Sequence, residues 1–586
     1  MNHPPSQIPC EPAADAPPPA ASPAQNNTRG LEKYAVIILA ATASVMMLWG
    51  LNNVDLRDAD EPRYAEVARE MAASGDYVLL HYNGEKYPNK PPLYFWLVAA
   101  CSKLTGGVNE VSARMPSALA GVAVVLLTFA LGRRMFGARA GFLAGMVLLS
   151  SLYFVEHARS VHMDLPLAVF TTAMIAVFYL AYEQGKAAWW TWPVFFLMGL
   201  LGILMKGPAG FLPPLLACIA FSLLRRDWRG WGRSLWISVF VVVAIACLWL
   251  VVLWRQSGNH FIWNTLISQN ADRLTGRGSH VEPFYFFLRV FPEIFLPWTP
   301  FLLLALVMAA ARIWRRDESA WKILFILVWF AVTFIFFSAV PSKRQLYILA
   351  AFPAAAIAVA WLLEALIAGK APEKIEAFTR WLTAAAMTLV AAAAPLGLLM
   401  LAWAEVKGGE RVAGMIEDLR RSYVVMVILS VILCAQGLAG VQAALRRYWA
   451  GAVTAILLIC LTSGAATMFV FFPLFDKAKS ARHFSARLNE AAGNSEVAAY
   501  EDVPEGIVFY ARRRFPLLRT PGEAAAYLNR EDGATRFCIT KAKGLSEIKT
   551  ACGNREMPEE VFRDKVEGDE LVLLRSRSTV DQINFP

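Results

Sequence analysis

Charged residues are scarce in this sequence. They make up 17% of its 586 residues, whereas hydrophobic residues make up 57%. A soluble protein of this size needs roughly a quarter charged residues to cover its surface. A soluble protein also lacks repeated apolar runs of about 20 residues, the length that crosses a hydrocarbon core. The shortage of charge therefore argues against a soluble protein and indicates an α-helical, polytopic membrane protein within a lipid bilayer.

Signatures of bound nucleotides and metals are missing as well. The sequence has neither a G-x-G-x-x-G fingerprint nor a Walker loop, which argues against an ATP-driven pump. Its seven His residues show no H-E-x-x-H or other tight metal spacing. We therefore expect no bound structural metal and no required cofactor, while a divalent cation held loosely between Asp or Glu and His stays open. The net charge of +10 suits anionic lipid head groups better than nucleic acid, which is not an expected partner.

Three regions follow one another along the chain. Residues 1–32 are rich in Pro and Ala and predict a disordered cytoplasmic tail. Residues 33–475 contain thirteen apolar runs and predict a transmembrane domain of about 13 helices. Residues 476–586 alternate short helical patterns with strand-like runs and predict a small soluble α/β domain. Cys538 and Cys552 lie in this last region, and the sequence leaves open whether they form a disulfide.

One short apolar stretch decides the predicted topology. Leu93 to Leu104 spans only about twelve residues, too few to cross comfortably. If it does not cross, the Arg and Lys clusters between the apolar runs fall in the cytoplasm, as the positive-inside rule requires. We therefore expect this stretch to lie on the outer surface within a long first external loop, residues 54–106. The N-terminus is then cytoplasmic and the C-terminal domain periplasmic.

The first external loop is rich in acidic residues. Asp58, Asp60 and Glu61 precede an amphipathic helical pattern with Tyr64, Val67, Ala68 and Met71 on one side. Asp60 could be the N-cap of this helix. Acidic residues at a membrane surface are often functional, however, and this favours a functional role for Asp60. A second acid, Asp164, lies where a later external segment enters its helix.

Basic residues are retained on the outer side against the topological bias. They are Arg63, Lys86, Lys90, Lys206, Arg273, Arg277, Lys343 and Arg344. Such retention indicates an anionic ligand, and the alternative is pairing with local carboxylates or lipid head groups. Lys206 is the most telling, because almost no loop is available to solvate it.

The motifs of the first external loop resemble a known family. The segments are Asp58-Ala59-Asp60-Glu61-Pro62-Arg63-Tyr64 and Asn89-Lys90-Pro91-Pro92-Leu93-Tyr94-Phe95-Trp96, with looser matches at Met163-Asp164-Leu165-Pro166 and Lys343-Arg344-Gln345-Leu346-Tyr347. They are similar to bacterial lipid-linked glycosyltransferases of the GT-C fold, in particular the undecaprenyl phosphate aminoarabinose transferase (ArnT) branch, related to protein O-mannosyltransferases.

This resemblance implies an inverting glycosyltransferase of the bacterial inner membrane. It would move 4-amino-4-deoxy-L-arabinose from undecaprenyl phosphate, the donor lipid, to the phosphate groups of lipid A, the acceptor. The implied roles fall into three groups. Asp60 and Asp164 are catalytic; Lys90, Lys206, Arg273 and Tyr347 bind the donor phosphate; Arg63, Glu61, Lys86, Tyr87 and Lys343 bind substrate.

Two alternatives stay open at the level of the sequence. A sister enzyme could move another sugar from a polyprenyl phosphate onto protein or glycan hydroxyls. A secondary transporter would show paired halves with polar residues near the bilayer midplane. The charges here gather at one face instead, and no internal repeat is evident, so the transporter is the remote alternative.

Overall fold

A computed structural model describes most of the chain. The described residues are 23–232, 234–258, 275, 280–317, 320–407, 423–473, 481–530, 534–553, 557–566 and 568–576. Arg273, residues 1–22 of the predicted tail and residues 476–480 and 577–586 of the predicted C-terminal domain lie outside them. The first helix, α1, begins at Pro23. The last residues of the predicted tail, 23–32, belong to this helix.

Helices dominate the transmembrane region. In chain order they are α1 Pro23–Leu48, α2 Asp60–Ser74, α3 Leu93–Thr105, α4 Glu110–Phe136, α5 Ala138–Leu149, α6 Leu152–Ala158, α7 Asp164–Glu183, α8 Thr191–Lys206, α9 Leu212–Arg225, α10 Ser234–Ser257, α11 Phe286–Ile294, α12 Thr299–Trp314, α13 Ala320–Ala339, α14 Phe352–Ile367, α15 Glu373–Lys407, α16 Tyr423–Leu445 and α17 Trp449–Ala466. Short 3₁₀ segments, Gly207–Gly210 and Gln345–Ala351, follow α8 and precede α14, and a π segment, Thr467–Phe471, follows α17.

Each of the thirteen predicted apolar runs coincides with helix. Within the described residues, nine helices are long and apolar enough to cross a membrane. Two more runs form bent pairs, α5 with α6 at 70° and α11 with α12 at 113°. The remaining two are the shorter apolar helices Tyr34–Leu48 and Leu212–Arg225. The predicted class, a polytopic α-helical membrane protein with a small C-terminal α/β domain, is confirmed.

The first external loop folds into two helices and a small hairpin. The face of α2 that carries Tyr64, Val67, Ala68 and Met71 is buried, as its amphipathic pattern predicts. The hairpin pairs β1 His81–Tyr82 with β2 Glu85–Lys86. Aromatic side chains then join α3 to α2, since the Tyr64 ring meets Phe95 edge to face at 5.8 Å between centroids.

A buried ion pair anchors the start of α2 to α4. The Arg114 guanidinium donates to Glu61 Oε2 at 2.8 Å, and both side chains are only 5% exposed. Arg114 also donates to the carbonyls of Leu51 and Val54, at 2.8 and 2.6 Å. Because the two charges satisfy each other and the surrounding carbonyls, this pair fixes where the first external loop leaves the membrane.

The C-terminal domain is a mixed sheet covered by helices. Its elements are α18 Ala481–Ala492, β3 Glu496–Tyr500, α19 Glu505–Ala511, β4 Leu517–Leu518, α20 Pro521–Leu528, β5 Arg536–Lys541, α21 Ala542–Cys552, β6 Glu559–Val566 and β7 Asp569–Arg575. The strand order is β4-β3-β5-β7-β6, with the first three strands parallel and the last two antiparallel. Cys538 and Cys552 are both buried free thiols.

The C-terminal domain rests on the first external loop. Asn83 Nδ2 donates to the Phe515 carbonyl and Asn83 Oδ1 accepts from the Phe515 amide, both at 2.8 Å. The Leu56 amide donates to Tyr510 Oη at 2.8 Å. Because the loop and the domain touch, they lie on the same side of the membrane, and an even number of crossings must separate them. The twelve predicted runs after the loop meet this condition only if α3 does not cross.

Breaking the pair between Arg114 and Glu61 should destabilise the whole loop. In Arg114→Met the Glu61 carboxylate stays buried without its cation. We therefore expect the free energy of unfolding, measured in detergent micelles, to fall by about 3–5 kcal/mol. Arg134→Met is a matched control, because its pair with Glu183 is 55% exposed on the Arg side and should cost less than about 1 kcal/mol. Equal losses in denaturant titrations of the two variants would contradict this assignment.

Candidate active site

A narrow polar cleft lies where the first external loop meets the ends of the spanning helices. Its cavity volume is only about 10 Å³, and its lining is Asp60, Tyr64, Lys90, His162, Met163, Asp164, Lys206, Arg344, Leu346 and Tyr347. Five of the predicted site residues thus meet in one place, although they come from five separate segments of the chain. They are Asp60, Lys90, Asp164, Lys206 and Tyr347.

Asp60 is the first residue of α2, and its carboxylate is held by two guanidinium groups. The N-cap position is taken by Ala59, with no side-chain cap, so the predicted N-cap role of Asp60 is wrong. Oδ2 instead accepts from Arg344, and Oδ1 lies 3.5 Å from Arg63. Burial alone would raise the pKa of Asp60, but the hydrogen bond and charge of Arg344, with further attraction from Lys90, hold it below its usual value. Asp60 is therefore an anion.

Asp164 and Lys206 form a second ion pair across the cleft. Asp164 begins α7 and Lys206 ends α8, and their side chains are 5% and 9% exposed. The Lys206 ammonium also lies 4.1 Å from the centroid of the Tyr347 ring, a cation–π distance. Gly207 follows at φ 73°, a conformation that side chains avoid, and so allows α8 to stop at the lysine.

Lys90 approaches the cleft from the segment between β2 and α3. Pro91 and Pro92 follow it directly and restrict its backbone to an extended form. Its ammonium lies 6.0 Å from the centroid of the Tyr64 ring. Lys90 is also among the charges that lower the pKa of Asp60, so its positive charge acts on the same space as that carboxylate.

His162 lines the cleft without carrying charge. Burial, and to a smaller extent His157, lowers its pKa to about 4. It is therefore neutral near pH 7 and can donate or accept a hydrogen bond. With three cations (Lys90, Lys206 and Arg344) facing two carboxylates (Asp60 and Asp164), the cleft has a net positive charge and should attract an anion. Within the described part of the chain, no group of three or more His, Cys, Asp or Glu could hold a metal ion.

The remaining predicted substrate residues lie around the cleft. Arg63 lies at its edge, between Asp60 and Glu505 of the C-terminal domain. Glu61 points away into its buried pair with Arg114. Lys86 is exposed on β2 and Tyr87 is buried beneath the loop. Lys343 is buried and donates to the Glu282 carbonyl at 2.8 Å.

Three polar lining residues were not among the predicted site residues: Tyr64, His162 and Arg344. The backbone at Arg344 is extended, at φ −129° and ψ 147°. Successive side chains of an extended segment point to opposite sides, so Lys343 turns to Glu282 and Arg344 turns to Asp60. The sequence shows two adjacent basic residues, Lys343 and Arg344, but only the backbone conformation shows which of the two cations enters the cleft.

A second, larger cavity adjoins the cleft. Its volume is about 770 Å³, and its lining includes the cations Arg57, Arg159 and Lys565 and the apolar side chains of Met468 and Phe472. His162 lines both spaces. Carboxylates of Asp58, Glu61 and Glu156 also line it, so the cavity combines charges of both signs with apolar surface and adjoins the cleft at His162.

Comparison with known proteins gives relatives over parts of the chain. Residues 89–254 match a family described as dolichyl-phosphate-mannose-protein mannosyltransferase. An undecaprenyl phosphate-alpha-4-amino-4-deoxy-L-arabinose arabinosyl transferase of Edwardsiella ictaluri (strain 93-146) is 29% identical over 315 residues, which is 52% of this chain and 55% of that protein. An Aquifex aeolicus (strain VF5) protein described as uncharacterized is 30% identical over 331 residues, 56% of this chain and 64% of that one. The chain thus spans about 55–64% of these relatives' length.

Similarity of structure extends further. The crystal structure of ArnT from Cupriavidus metallidurans bound to undecaprenyl phosphate matches with a TM-score of 0.73 at 20% identity, over 93% of this chain and 98% of that one. The chain is therefore a polytopic membrane protein with the GT-C fold. Within that class its similarity is to the ArnT branch, which confirms the resemblance predicted from the first external loop.

Removing the Arg344 charge should change the titration of Asp60. The ionisable groups facing Asp60 are Arg63, Tyr64, Tyr87, Lys90, His162 and Arg344. In Arg344→Gln the rise that burial causes in the pKa of Asp60 is offset less. Asp60 should therefore take up its proton at a higher pH than in the wild type. Infrared titration of ¹³C-Asp-labelled protein, with Asp60→Asn to assign the band, measures this shift. An unchanged midpoint would contradict the control of Asp60 by Arg344.

Proposed function

We propose that this protein is an inverting glycosyltransferase that moves 4-amino-4-deoxy-L-arabinose from undecaprenyl phosphate to phosphate groups of lipid A. The observation that carries the proposal is the cleft, where two ionised carboxylates and three cations meet at the ends of spanning helices. The name of the Edwardsiella relative and the undecaprenyl phosphate bound to the similar ArnT structure support the same reaction. No cofactor is needed, because the reaction transfers a group that the donor has already activated.

The cations of the cleft suit the leaving group. When the bond between the anomeric carbon and the phosphate oxygen breaks, its electron pair stays on the lipid phosphate, which gains one negative charge. Fixed positive groups that face this developing charge lower the barrier. Lys90 and Lys206 are the residues that would stabilise it, with Tyr347 holding Lys206 through its ring. A monophosphate gains a single charge, which two ammonium groups can neutralise without a metal.

The ion pairs of the cleft suit an amino sugar. Without ligand, Asp164 is paired with Lys206 and Asp60 with Arg344. A bound phosphate competes for the cations, and this releases carboxylate oxygens that can accept from the ammonium group of aminoarabinose. The donor carries an anion and a cation on one molecule, so it can replace both internal pairs at once. Binding then leaves few buried charges uncompensated.

The larger cavity suits the acceptor. Lipid A is amphipathic and anionic, and the 770 Å³ cavity offers cations beside the apolar side chains of Met468 and Phe472. An acceptor phosphate there would reach the anomeric carbon past His162. Its oxygen is already an anion, so it forms the new bond to that carbon without losing a proton. Asp60 and Asp164 would then orient the sugar rather than act as bases.

The proposed location is the bacterial inner membrane, with the cleft at its periplasmic face. The distribution of Arg and Lys clusters supports a cytoplasmic N-terminus. Contact between the C-terminal domain and the first external loop supports a location of both on one side of the membrane. We therefore assign the loop, the cleft and the C-terminal domain to the periplasm, where the acceptor lipid is exposed.

A second candidate is transfer of another sugar from a polyprenyl phosphate to a protein or glycan hydroxyl. The match of residues 89–254 to a mannosyltransferase family favours it. A hydroxyl acceptor must lose a proton, and Asp60 could accept it as a general base. Neutral His162, between the cleft and the larger cavity, could relay the proton.

Loss of Lys206 should impair the chemical step. In Lys206→Met we expect kcat for transfer from the undecaprenyl phosphate-linked sugar to fall by about 100-fold, the effect typical of removing one group that stabilises developing charge. Lys103→Met, an exposed lysine at the end of α3, is the matched control and should keep its activity. A Lys206→Met protein that folds and transfers sugar at the wild-type rate would exclude a role in leaving-group stabilisation.

The acceptor can be tested in cells. Mass analysis of lipid A should show the aminoarabinose increment in cells that carry the gene and its loss when the gene is deleted. Wild-type protein should restore the increment, while Asp60→Asn at equal expression should not. Unchanged lipid A after deletion would favour the sister enzyme. Full restoration by Asp60→Asn would remove Asp60 from the mechanism.

A further inference from the structure

The C-terminal domain reaches the cleft through one carboxylate. Glu505, the first residue of α19, pairs with the Arg63 guanidinium, with side-chain exposures of 20% and 28%. Arg63 in turn lies 3.5 Å from Asp60 Oδ1. A continuous row of alternating charges therefore runs from the C-terminal domain into the cleft, in the order Glu505, Arg63, Asp60 and Arg344.

We propose that Glu505 is a positioning residue for the transfer reaction, holding Arg63 so that it steadies Asp60 without fully neutralising it. This inference rests on the function proposed above. Arg63 makes its close contact with Glu505 and only the longer one with Asp60. Without Glu505 the guanidinium is free to form a bidentate pair with Asp60, the strongest geometry for these groups. Both carboxylate oxygens of Asp60 would then be closely paired with guanidinium groups and could not accept from the sugar.

Neighbouring contacts fix Glu505 in place. Arg69 of α2 donates to the carbonyls of Phe509 and Val508 near the end of α19, at 2.7 and 3.3 Å. Cations are favoured at that end of a helix. The Leu56 amide binds Tyr510, so α19 is tied to α2 and to the segment before it. Glu505 therefore approaches Arg63 from a fixed support, as a positioning residue requires.

The test replaces Glu505 by its neutral isostere. In Glu505→Gln we expect kcat to fall by about tenfold while KM for the undecaprenyl phosphate-linked donor changes by less than about twofold, because orientation rather than binding is lost. Glu505→Asp, which keeps the charge, should recover most of the rate. In an Arg63→Met background the Gln substitution should have no further effect, because the two residues act through one contact.

Two matched variants separate positioning from general damage to the domain. Glu559→Gln removes another carboxylate of the C-terminal domain that is paired with an arginine, Arg575, at 2.7 Å. Asn83→Ala removes both hydrogen bonds to Phe515 without touching Arg63. Both should keep kcat within about twofold of the wild type. An unchanged kcat in Glu505→Gln, or an equal loss in Asn83→Ala, would overturn the assignment.

A measurement without turnover separates this inference from the proposed function. Hydrogen exchange of the peptide covering the start of α19 should be faster in Glu505→Gln than in Glu559→Gln, because α19 loses its ion pair with Arg63 of α2. If the wild-type protein transfers no sugar from any polyprenyl phosphate, the proposed function fails while the exchange result still reports on positioning. Equal exchange in the two variants would overturn the positioning role itself.

Discussion

The architecture of the cleft depends on keeping two carboxylates ionised where little water can reach them. Asp60 and Asp164 are 14% and 5% exposed, and each is held by a cation from a distant segment. Removing one partner from such a pair leaves a charge that the surroundings cannot solvate. The beginning of α2, the end of α8 and the segment before α14 must therefore meet at fixed positions, and the helices behind them are arranged accordingly.

The need to pair both carboxylates also determines how the cleft would respond to a charged ligand. A cleft that already neutralises its own charges is stable without a ligand, yet each internal pair is a candidate for exchange with a ligand of matching charges. A zwitterionic donor fits this condition better than a simple anion or a simple cation. The neighbouring cavity, with its charged groups and apolar wall, adjoins the cleft at His162.

Sequence patterns predict the local features of this protein well and the distant contacts poorly. Run length and periodicity located the helices and the buried face of α2, because these depend on neighbouring residues. Arg344 was missed because its partner Asp60 is 284 positions away. The N-cap position that the sequence allowed for Asp60 is held by Ala59, and the Asp60 carboxylate pairs with the distant Arg344 guanidinium instead. Glu61 looked accessible in the sequence because its partner Arg114 lies in another helix.

Contacts between α2 and α19 also have a consequence for assembly. Arg63 and Glu505 are 442 positions apart, and Leu56 and Tyr510 are 454 positions apart. During synthesis the loop emerges after the first helix, whereas its partner emerges only after all the later helices. The contacts of Arg63 with Glu505 and of Leu56 with Tyr510 can form only after the C-terminal domain has been synthesised. A chain halted before α19 would contain every residue that lines the cleft, the last of which is Tyr347, but would lack the support of Arg63 by Glu505.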